Sequence, residues 1–211
     1  NIYFTKVQAF ILNPILYLLR KIDIRQSKRP DFIVANSFFV KDWIKKHYKI
    51  DCEVIYPPVD TELFKLEKNK SGYYITTARL EPYKRIDLIV DAFNNINEEL
   101  YIVGDGSTKK SLKAKANENI KFYDFLDAES VMNLVSKAKA FIHAGIEDFG
   151  IAPVEAQSCG TPVIAFNKGG VSETVVNGKT SVLFEYQTAG AILDAIKPVS
   201  YTHLRAHETT V

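Results

Sequence analysis

Residues 73–103 read YYITTARLEPYKRIDLIVDAFNNINEELYIV, and their pattern of apolar residues indicates the fold class. Two short apolar runs, 73–78 and 100–103, lie on either side of a longer segment of mixed polarity. In that segment the apolar residues recur at i, i+3, i+4 and i+7, and they are Ile86, Ile89, Val90 and Phe93. This spacing predicts a helix with one core-facing stripe between two buried strands. Because the strands are continuously apolar rather than alternating, they indicate a parallel sheet covered on both faces.

The same alternation of strand and helix continues towards the C-terminus. It predicts six strands, at 73–78, 100–103, 120–123, 140–144, 162–166 and 181–184. Parallel strands joined by helices cross over in the right-handed sense. We therefore expect an α/β fold built on a Rossmann-like, doubly wound parallel sheet.

The residues before this sheet carry a shorter version of the pattern. They predict one βαβ unit, with its elements at 31–36, 40–48 and 53–56. Pro57 and Pro58 then stiffen the backbone and remove two donors, so a domain boundary is expected near 57–71. Residues 1–60 are too few for a domain, and the chain starts at Asn1 rather than Met. We expect them to be the last part of a preceding α/β domain whose front is absent.

The C-terminal end departs from the pattern. A helix is predicted from Thr188 to Ile196, and Pro198 is expected to end it. The next string, VSYTHLRAHET at 199–209, resembles the translation of a transposase adaptor used in preparing sequencing libraries. Residues 199–211 are therefore expected to be a non-native tail.

Metal and disulfide chemistry are not indicated. His203 and His207 have the i, i+4 spacing of helical metal ligands, but Leu204 follows the first histidine where a zinc-protease helix has Glu. No metal site is predicted. Cys52 and Cys159 are too few for a disulfide framework, which favours reduced thiols and a cytoplasmic location.

The net charge and the hydropathy pattern bear on whether the protein binds nucleic acid or a membrane. The 211 residues include 27 basic and 25 acidic side chains, a net charge of +2 that predicts no nucleic-acid partner. The most apolar stretch, 7–19, is interrupted by Asn13 and Pro14 and is shorter than the ~20 residues needed to cross a bilayer. Residues 6–29 combine apolar and basic side chains. They suit peripheral contact with an anionic membrane or packing within the first domain, and packing is the favoured interpretation.

Two glycine-containing strings fail as nucleotide fingerprints. Gly104 and Gly106 open a dinucleotide motif, but Lys109 occupies the third glycine position, which disfavours an oxidoreductase. The string GKT at 178–180 ends like a P-loop, yet the glycine required five residues earlier is Glu173. A turn explains the second string better.

A third constellation is more specific. The string EDFGIAPVE at 147–155 places Glu147 and Glu155 at a loop-to-helix junction, where free backbone N–H groups can bind an anion. Arg79 and Lys84 follow the first strand, and together they could neutralise a diphosphate. Taken singly, Glu155 could serve only to stabilise the helix N-terminus by its negative charge. Arg79 and Lys84 could likewise be loop side chains exposed to solvent. Together these groups lie at one edge of the predicted sheet, in the crevice where such sheets bind ligands.

At this point the sequence resembles the retaining glycosyltransferases of family 4, which have the GT-B fold of two Rossmann-like domains. The strings that carry the resemblance are VIYPPVDTELF, ARLEPYKRIDLIVDAF, EDFGIAPVEAQSCGTPVIAF and GGVSETV. The resemblance covers about residues 1–198 and is strongest to bacterial GDP-mannose-dependent mannosyltransferases. It implies that 1–60 belongs to the acceptor domain and that 61–198 is a truncated donor-binding domain.

The resemblance also implies roles for individual residues. Arg79 and Lys84 would stabilise the leaving diphosphate, Glu147 would contact the donor sugar, and Glu155 would hold the ribose hydroxyls. Further donor-binding positions would be Gly104, Gly106, Phe125, Leu126, Asp148, Phe149, Gly150 and Ile151. Of these, Phe125 and Leu126 would cradle the nucleobase, and the two glycines would shape the cleft edge.

The implied reaction moves a sugar, with mannose from GDP-mannose favoured, to a glycan or lipid-linked acceptor in surface polysaccharide synthesis. It would need no cofactor and no metal, because the chain lacks a DxD motif and two cations face the leaving group. The enzyme would be cytoplasmic, or peripheral at the inner face of the plasma membrane. A non-catalytic GT-B nucleotide-binding subunit and, less favoured, a nucleotide-dependent oxidoreductase remain alternatives. His143 is interpreted as packing or capping locally.

Overall fold

A computed structural model describes residues 6–201 of the chain. It divides into two compact units, with the division between Tyr56 and Pro57. Within the described residues no helix is both long enough and apolar enough to cross a membrane.

The N-terminal unit contains α1 (Lys6–Gln26), β1 (Val34–Ala35), α2 (Phe38–Tyr48) and β2 (Glu53–Val54). The two strands pair in parallel, so the predicted βαβ unit is present. Both strands are shorter than predicted, because within the described residues each has only the other to pair with. Ser37 caps α2 by accepting a hydrogen bond from the Val40 N–H at 3.0 Å.

The C-terminal unit is built from six strands and six helices. In chain order they are β3 (Tyr73–Thr77), α3 (Ile86–Phe93), β4 (Glu99–Val103), α4 (Lys109–Lys115), β5 (Ile120–Tyr123), α5 (Ala128–Lys137), β6 (Ala140–His143), α6 (Ile151–Ser158), β7 (Val163–Phe166), α7 (Val171–Thr174), β8 (Ser181–Phe184) and α8 (Ala189–Tyr201). A single 3₁₀ turn, Pro82–Lys84, precedes α3. All six predicted strands are confirmed to within a residue or two at their ends.

The strand order is β5-β4-β3-β6-β7-β8, and every neighbouring pair is parallel. The chain therefore winds outward from β3 to one edge, returns, and continues from β6 to the other edge. This is the predicted doubly wound α/β topology. Its switch point lies between β3 and β6, where the loops that follow the two strands diverge and leave a crevice.

Helices cover both faces of the sheet. On one face Ile102 and Ile142 pack in a cluster that includes the apolar stripe of α3 and residues of α8. On the other face Ile75 and Phe141 pack in a second cluster, with residues of α5, α6 and α7. Alternate residues of each strand therefore enter different clusters, which is why the strands are apolar throughout.

The prediction that Pro198 ends the last helix is wrong, because α8 runs through it to Tyr201. Proline has no N–H to donate to the carbonyl of Asp194, but Val199 beyond it is only 8% exposed and lies in the core cluster with Ile192. Burial of this turn outweighs the lost hydrogen bond. Residues 199–201 are thus helical. The rest of the expected tail, 202–211, lies outside the described residues, and its non-native origin stays a prediction.

The loops that follow β3 and β4 are held together by a close approach of their backbones. Gly104 has φ +138°, and a Cβ added there would lie 2.0 Å from the Ala78 carbonyl oxygen. A Cβ on Gly106 would lie 2.6 Å from the carbonyl oxygen of Leu80. The Leu80 N–H also donates to the Asp105 carbonyl at 2.8 Å. The two glycines thus fix the start of the loop that carries Arg79.

We expect Gly104→Ala to destabilise the fold by about 2 kcal/mol or more, because the new methyl group meets backbone and the φ value is strained. Gly190→Ala is the matched control, since a Cβ at Gly190 in α8 has no heavy atom within 4 Å. That change should be neutral or stabilise by up to about 1 kcal/mol. Urea unfolding followed by circular dichroism measures both. Equal stability of the two variants would contradict the close approach at Gly104.

Candidate active site

The two loops that flank the switch point are joined by an ion pair. Lys84, at the end of the 3₁₀ turn after β3, donates a hydrogen bond to the carboxylate of Glu147, in the loop after β6. Both side chains are largely buried, with 15% of Lys84 and 24% of Glu147 exposed. The Lys84 ammonium also lies 5.2 Å from the centre of the Tyr83 ring. The structure therefore brings together two of the three predicted catalytic residues.

A glycine allows the two loops to approach. A Cβ on Gly145 would lie 3.1 Å from the Lys84 Cα and 3.1 Å from the Tyr83 carbonyl oxygen. Arg85, directly after the turn, adopts a left-handed conformation with φ +54° and is the N-cap residue of α3. The backbone at Tyr83 and Lys84 therefore lies directly against Gly145 in the loop after β6.

The loop after β7 contacts the backbone of Glu147 and holds it in place. The Gly170 N–H donates to the Glu147 carbonyl oxygen at 2.8 Å. A Cβ on Gly169 would lie 2.5 Å from that oxygen, and one on Gly170 would lie 2.1 Å from the Asp148 carbonyl oxygen. Neither glycine was predicted as a site residue. The signal was the string GGVSETV, which sequence reasoning used for the resemblance alone.

Helix α6 starts at the predicted loop-to-helix junction. Gly150 precedes its first residue with φ +87°, and no side chain caps this terminus. Its first N–H groups are available to an anion at the carboxyl edge of the sheet. Phe149 is buried beneath the junction, whereas Asp148 and Ile151 are exposed.

Glu155, in α6, is partly buried, and burial raises the pKa of its carboxyl group. Among residues 6–201 its carboxylate has no hydrogen-bond or ion-pair partner. A desolvated carboxylate without a partner costs stability, so this position is typical of a group kept for a ligand.

Arg79 is exposed, and its side chain forms no hydrogen bond with the described part of the chain. It lies beside Glu81, whose pKa is lowered first by hydrogen bonds from Ser107 and also by the Arg79 charge. The Ser107 N–H and hydroxyl donate to the Glu81 carboxylate at 3.1 and 2.6 Å. Glu81 is therefore held by the loop after β4, and the Arg79 guanidinium stays available.

The predicted nucleobase loop lies farther along the same edge. Phe125 is 88% exposed after β5, while Leu126 packs partly against the second core cluster. Strands β3 and β4 separate this loop from β6. Gly104 and Gly106 follow β4, so they lie between the loop after β5 and the loop after β3. The predicted site residues thus follow one strand edge. Within residues 6–201, Lys84 and Glu147 are joined by their side chains, and Gly104 and Gly106 contact the backbone of the loop after β3.

His143, the last residue of β6, is a site residue that sequence reasoning missed. It is packed as predicted, with 7% of the residue exposed, but its Nε2 lies 3.8 Å from the Glu147 Oε1. Its place at the end of the strand beside the switch point was the available signal.

Within residues 6–201, no group of three or more His, Cys, Asp or Glu side chains could hold a metal ion.

Residues 59–201 match the family described as glycosyl transferases group 1. The chain belongs to this family. The O-antigen chain mannosyltransferase RfbU of Salmonella typhimurium is 27% identical over 186 residues, which are 81% of this chain and 51% of that protein. A GDP-mannose-dependent monoacylated alpha-(1-6)-phosphatidylinositol monomannoside mannosyltransferase of Corynebacterium glutamicum is 31% identical over 142 residues, 57% of this chain and 37% of that protein.

Solved structures agree on the fold. Anabaena Alr3699/HepE in complex with UDP and glucose superposes with a TM-score of 0.78 at 22% identity, covering 89% of this chain and 60% of that one. At this identity the likeness concerns the fold alone, and it confirms the predicted fold class, since such neighbours are GT-B glycosyltransferases. The chain spans about half the length of the curated relatives it matches.

We expect Glu155→Gln to raise the melting temperature at pH 7–8. Because burial raises the Glu155 pKa, ionisation costs folding free energy once the pH exceeds the ordinary value of 4.5. The gain should therefore shrink on acidification and vanish near about pH 4, where the carboxyl is protonated in both states. Scanning calorimetry at several pH values measures it.

Glu99→Gln is the control for this prediction. Glu99 is exposed, and its hydrogen bond from Lys121 lowers its pKa, so the substitution should give no gain in melting temperature at any pH. A Glu155→Gln variant that melts lower than the wild type at pH 8 would show that the carboxylate has a stabilising partner.

Proposed function

We propose that residues 57–201 form the donor-binding half of a retaining glycosyltransferase of family 4. The enzyme would transfer a hexose from a nucleotide-sugar donor to a glycan or lipid-linked acceptor. The observation that carries this proposal is the pairing of Lys84 with Glu147 at the switch point. The Arg79 and Glu155 side chains belong to the same edge and form no hydrogen bond within residues 6–201. A nucleoside diphosphate sugar offers an anion for the cations and hydroxyl groups for the carboxylates.

The diphosphate is bound by Arg79, by Lys84 and by the first N–H groups of α6. Two cations match its two negative charges, and the uncapped helix terminus adds donors aimed at the same edge. Glu155 accepts hydrogen bonds from the ribose hydroxyls. Phe125 offers an exposed aromatic face to the nucleobase at the far end of this edge.

Catalysis follows from charge stabilisation of the leaving group. As the bond between sugar and diphosphate breaks, negative charge grows on the phosphate oxygens, which Lys84 and Arg79 stabilise in a partly dehydrated crevice. Glu147 faces the developing positive charge of the sugar. The acceptor hydroxyl arrives on the face that the diphosphate leaves, which retains the anomeric configuration. We propose a metal-independent reaction, because these two cations supply the charge that a divalent ion would bring.

Mannose from GDP-mannose is the proposed donor, in surface polysaccharide synthesis in the bacterial cytoplasm. Its support is that relatives at 27–31% identity are named as mannosyltransferases, including GDP-mannose-dependent ones. Calorimetric titration of the 211-residue chain with GDP, UDP and ADP, each with and without its sugar, tests this proposal. Tightest binding of GDP and GDP-mannose is expected. Absent or equal binding of all three nucleotides would overturn the sugar-nucleotide assignment.

Lys84→Ala and Glu155→Ala should each weaken nucleoside diphosphate binding at least tenfold, which is about 1.4 kcal/mol. The first removes a charge from the diphosphate, and the second removes the acceptor of the ribose hydroxyls. Lys115→Ala and Glu99→Ala are matched controls. Lys115 pairs with Asp91 at the end of α4, and Glu99 pairs with Lys121 at the start of β4, both away from the carboxyl edge. Unchanged affinity in either test variant would place that residue outside the site.

We also propose that α1 contacts an anionic membrane, where a lipid-linked acceptor would be found. Its support is the exposure of Leu18 and Leu19 beside Arg20 and Lys21. Wild-type chain should sediment with vesicles that contain anionic lipid, and Leu18→Glu with Leu19→Glu should abolish this at moderate ionic strength. Equal sedimentation of both proteins, or none, would favour packing of α1 against protein.

A further inference from the structure

His143 is the buried polar group whose surroundings the proposed reaction leaves unexplained. Its Nε2 is buried and has no hydrogen-bond partner among the described residues. The nearest acidic atom is the Glu147 Oε1 at 3.8 Å, too far for a hydrogen bond but close enough to become one after a small movement.

The state of the imidazole ring is set by its neighbours. A hydrogen bond to the Gly145 backbone favours the protonated ring. Because Nε2 has no partner, we assign the proton of the neutral ring to Nδ1, next to the Gly145 backbone. The lone pair then lies on Nε2, the nitrogen that is 3.8 Å from the Glu147 Oε1. The next proton that the ring accepts must therefore enter between His143 and Glu147.

Two charged groups act on this ring, one from each side of the switch point. Glu147, from the loop after β6, favours protonation, and Lys84, from the turn after β3, opposes it. On the neighbouring strand β7, the residue opposite His143 is the uncharged Ala165. Burial is the largest influence and lowers the His143 pKa below 6.5, so the ring is neutral at pH 7 while Lys84 pairs with Glu147.

We propose that His143 is a positioning residue that replaces Lys84 as the partner of Glu147 when a donor diphosphate binds. The proposal rests on the proposed function, in which Lys84 turns to the phosphate oxygens. Glu147 then loses its cation while it remains largely buried, a state that burial disfavours unless another positive group compensates the charge. His143 takes one proton from solvent at Nε2 and donates the new N–H to the Glu147 carboxylate. Glu147 is thereby held towards the donor sugar.

The first test measures proton uptake on binding. The chain is titrated with GDP at pH 7.5 in Hepes and in Tris, whose ionisation enthalpies differ, and the difference in heat gives the number of protons taken up. The wild type should take up about one proton more than His143→Gln, because glutamine can donate an N–H without being protonated. His47→Gln, which alters an exposed histidine of the N-terminal unit, should behave as the wild type.

The second test measures whether His143 affects binding of the donor sugar in particular. The ratio of affinities for GDP-mannose and GDP should fall about tenfold in His143→Leu, the factor for one hydrogen bond to a charged group, and should recover in His143→Gln. A purely structural role for His143 would weaken both ligands together and leave the ratio unchanged.

The third test needs no variant, so it holds even if the substitutions impair folding. In a chain with ¹⁵N-labelled histidine, saturating GDP should move the His143 ring signals from the neutral to the protonated pattern and leave His47 unchanged. Nucleotide binding with no proton uptake and no ring protonation would overturn this inference and leave the proposed function intact. Failure of all nucleotides to bind would overturn both.

Discussion

Strands that are apolar on both faces must be covered by helices on both sides, and this requirement sets where the site lies. A chain that covers both faces has to reverse its direction of winding once, between β3 and β6. The loops after these strands diverge, and the crevice between them lies at the carboxyl edge of the sheet. Lys84 and Glu147 occupy that crevice because each follows one of the two central strands.

Glycines and one ion pair fix the loops that line the crevice. Gly104, Gly145 and Gly170 let loop backbones approach within distances that a Cβ would prevent. Rigid loops of this kind fix side chains to the precision that binding of a small polar ligand needs. The Lys84 ammonium pairs with the Glu147 carboxylate between these loops, so two largely buried charges compensate each other.

Groups that cost stability gather at this edge. Glu155 holds a partly buried carboxylate with a raised pKa, and His143 holds a buried nitrogen without a hydrogen bond. The core clusters on either face consist of well-packed apolar side chains and can offset such costs. Buried polar atoms without a hydrogen bond also occur at Asn36, Gln157 and Ser181 in the described chain, but His143 is the one beside the Lys84–Glu147 pair. A partly buried carboxylate and an unpaired imidazole nitrogen at this edge agree with membership of a family of transferases.

Local sequence patterns were enough to predict the six strands, the apolar stripe of α3 and the sheet edge to which Arg79, Lys84, Glu147 and Glu155 belong. These features depend on periodicity and on strand ends, which are local. The same patterns misjudged Pro198, because the burial of Val199 depends on a packed core that no local rule contains. Three contacts became visible in the folded chain: Lys84 pairs with Glu147, the Gly170 N–H binds the Glu147 carbonyl, and the His143 Nε2 faces the Glu147 carboxylate. No local pattern predicts them, because the strand order brings the loops after β3, β6 and β7 together from distant parts of the sequence.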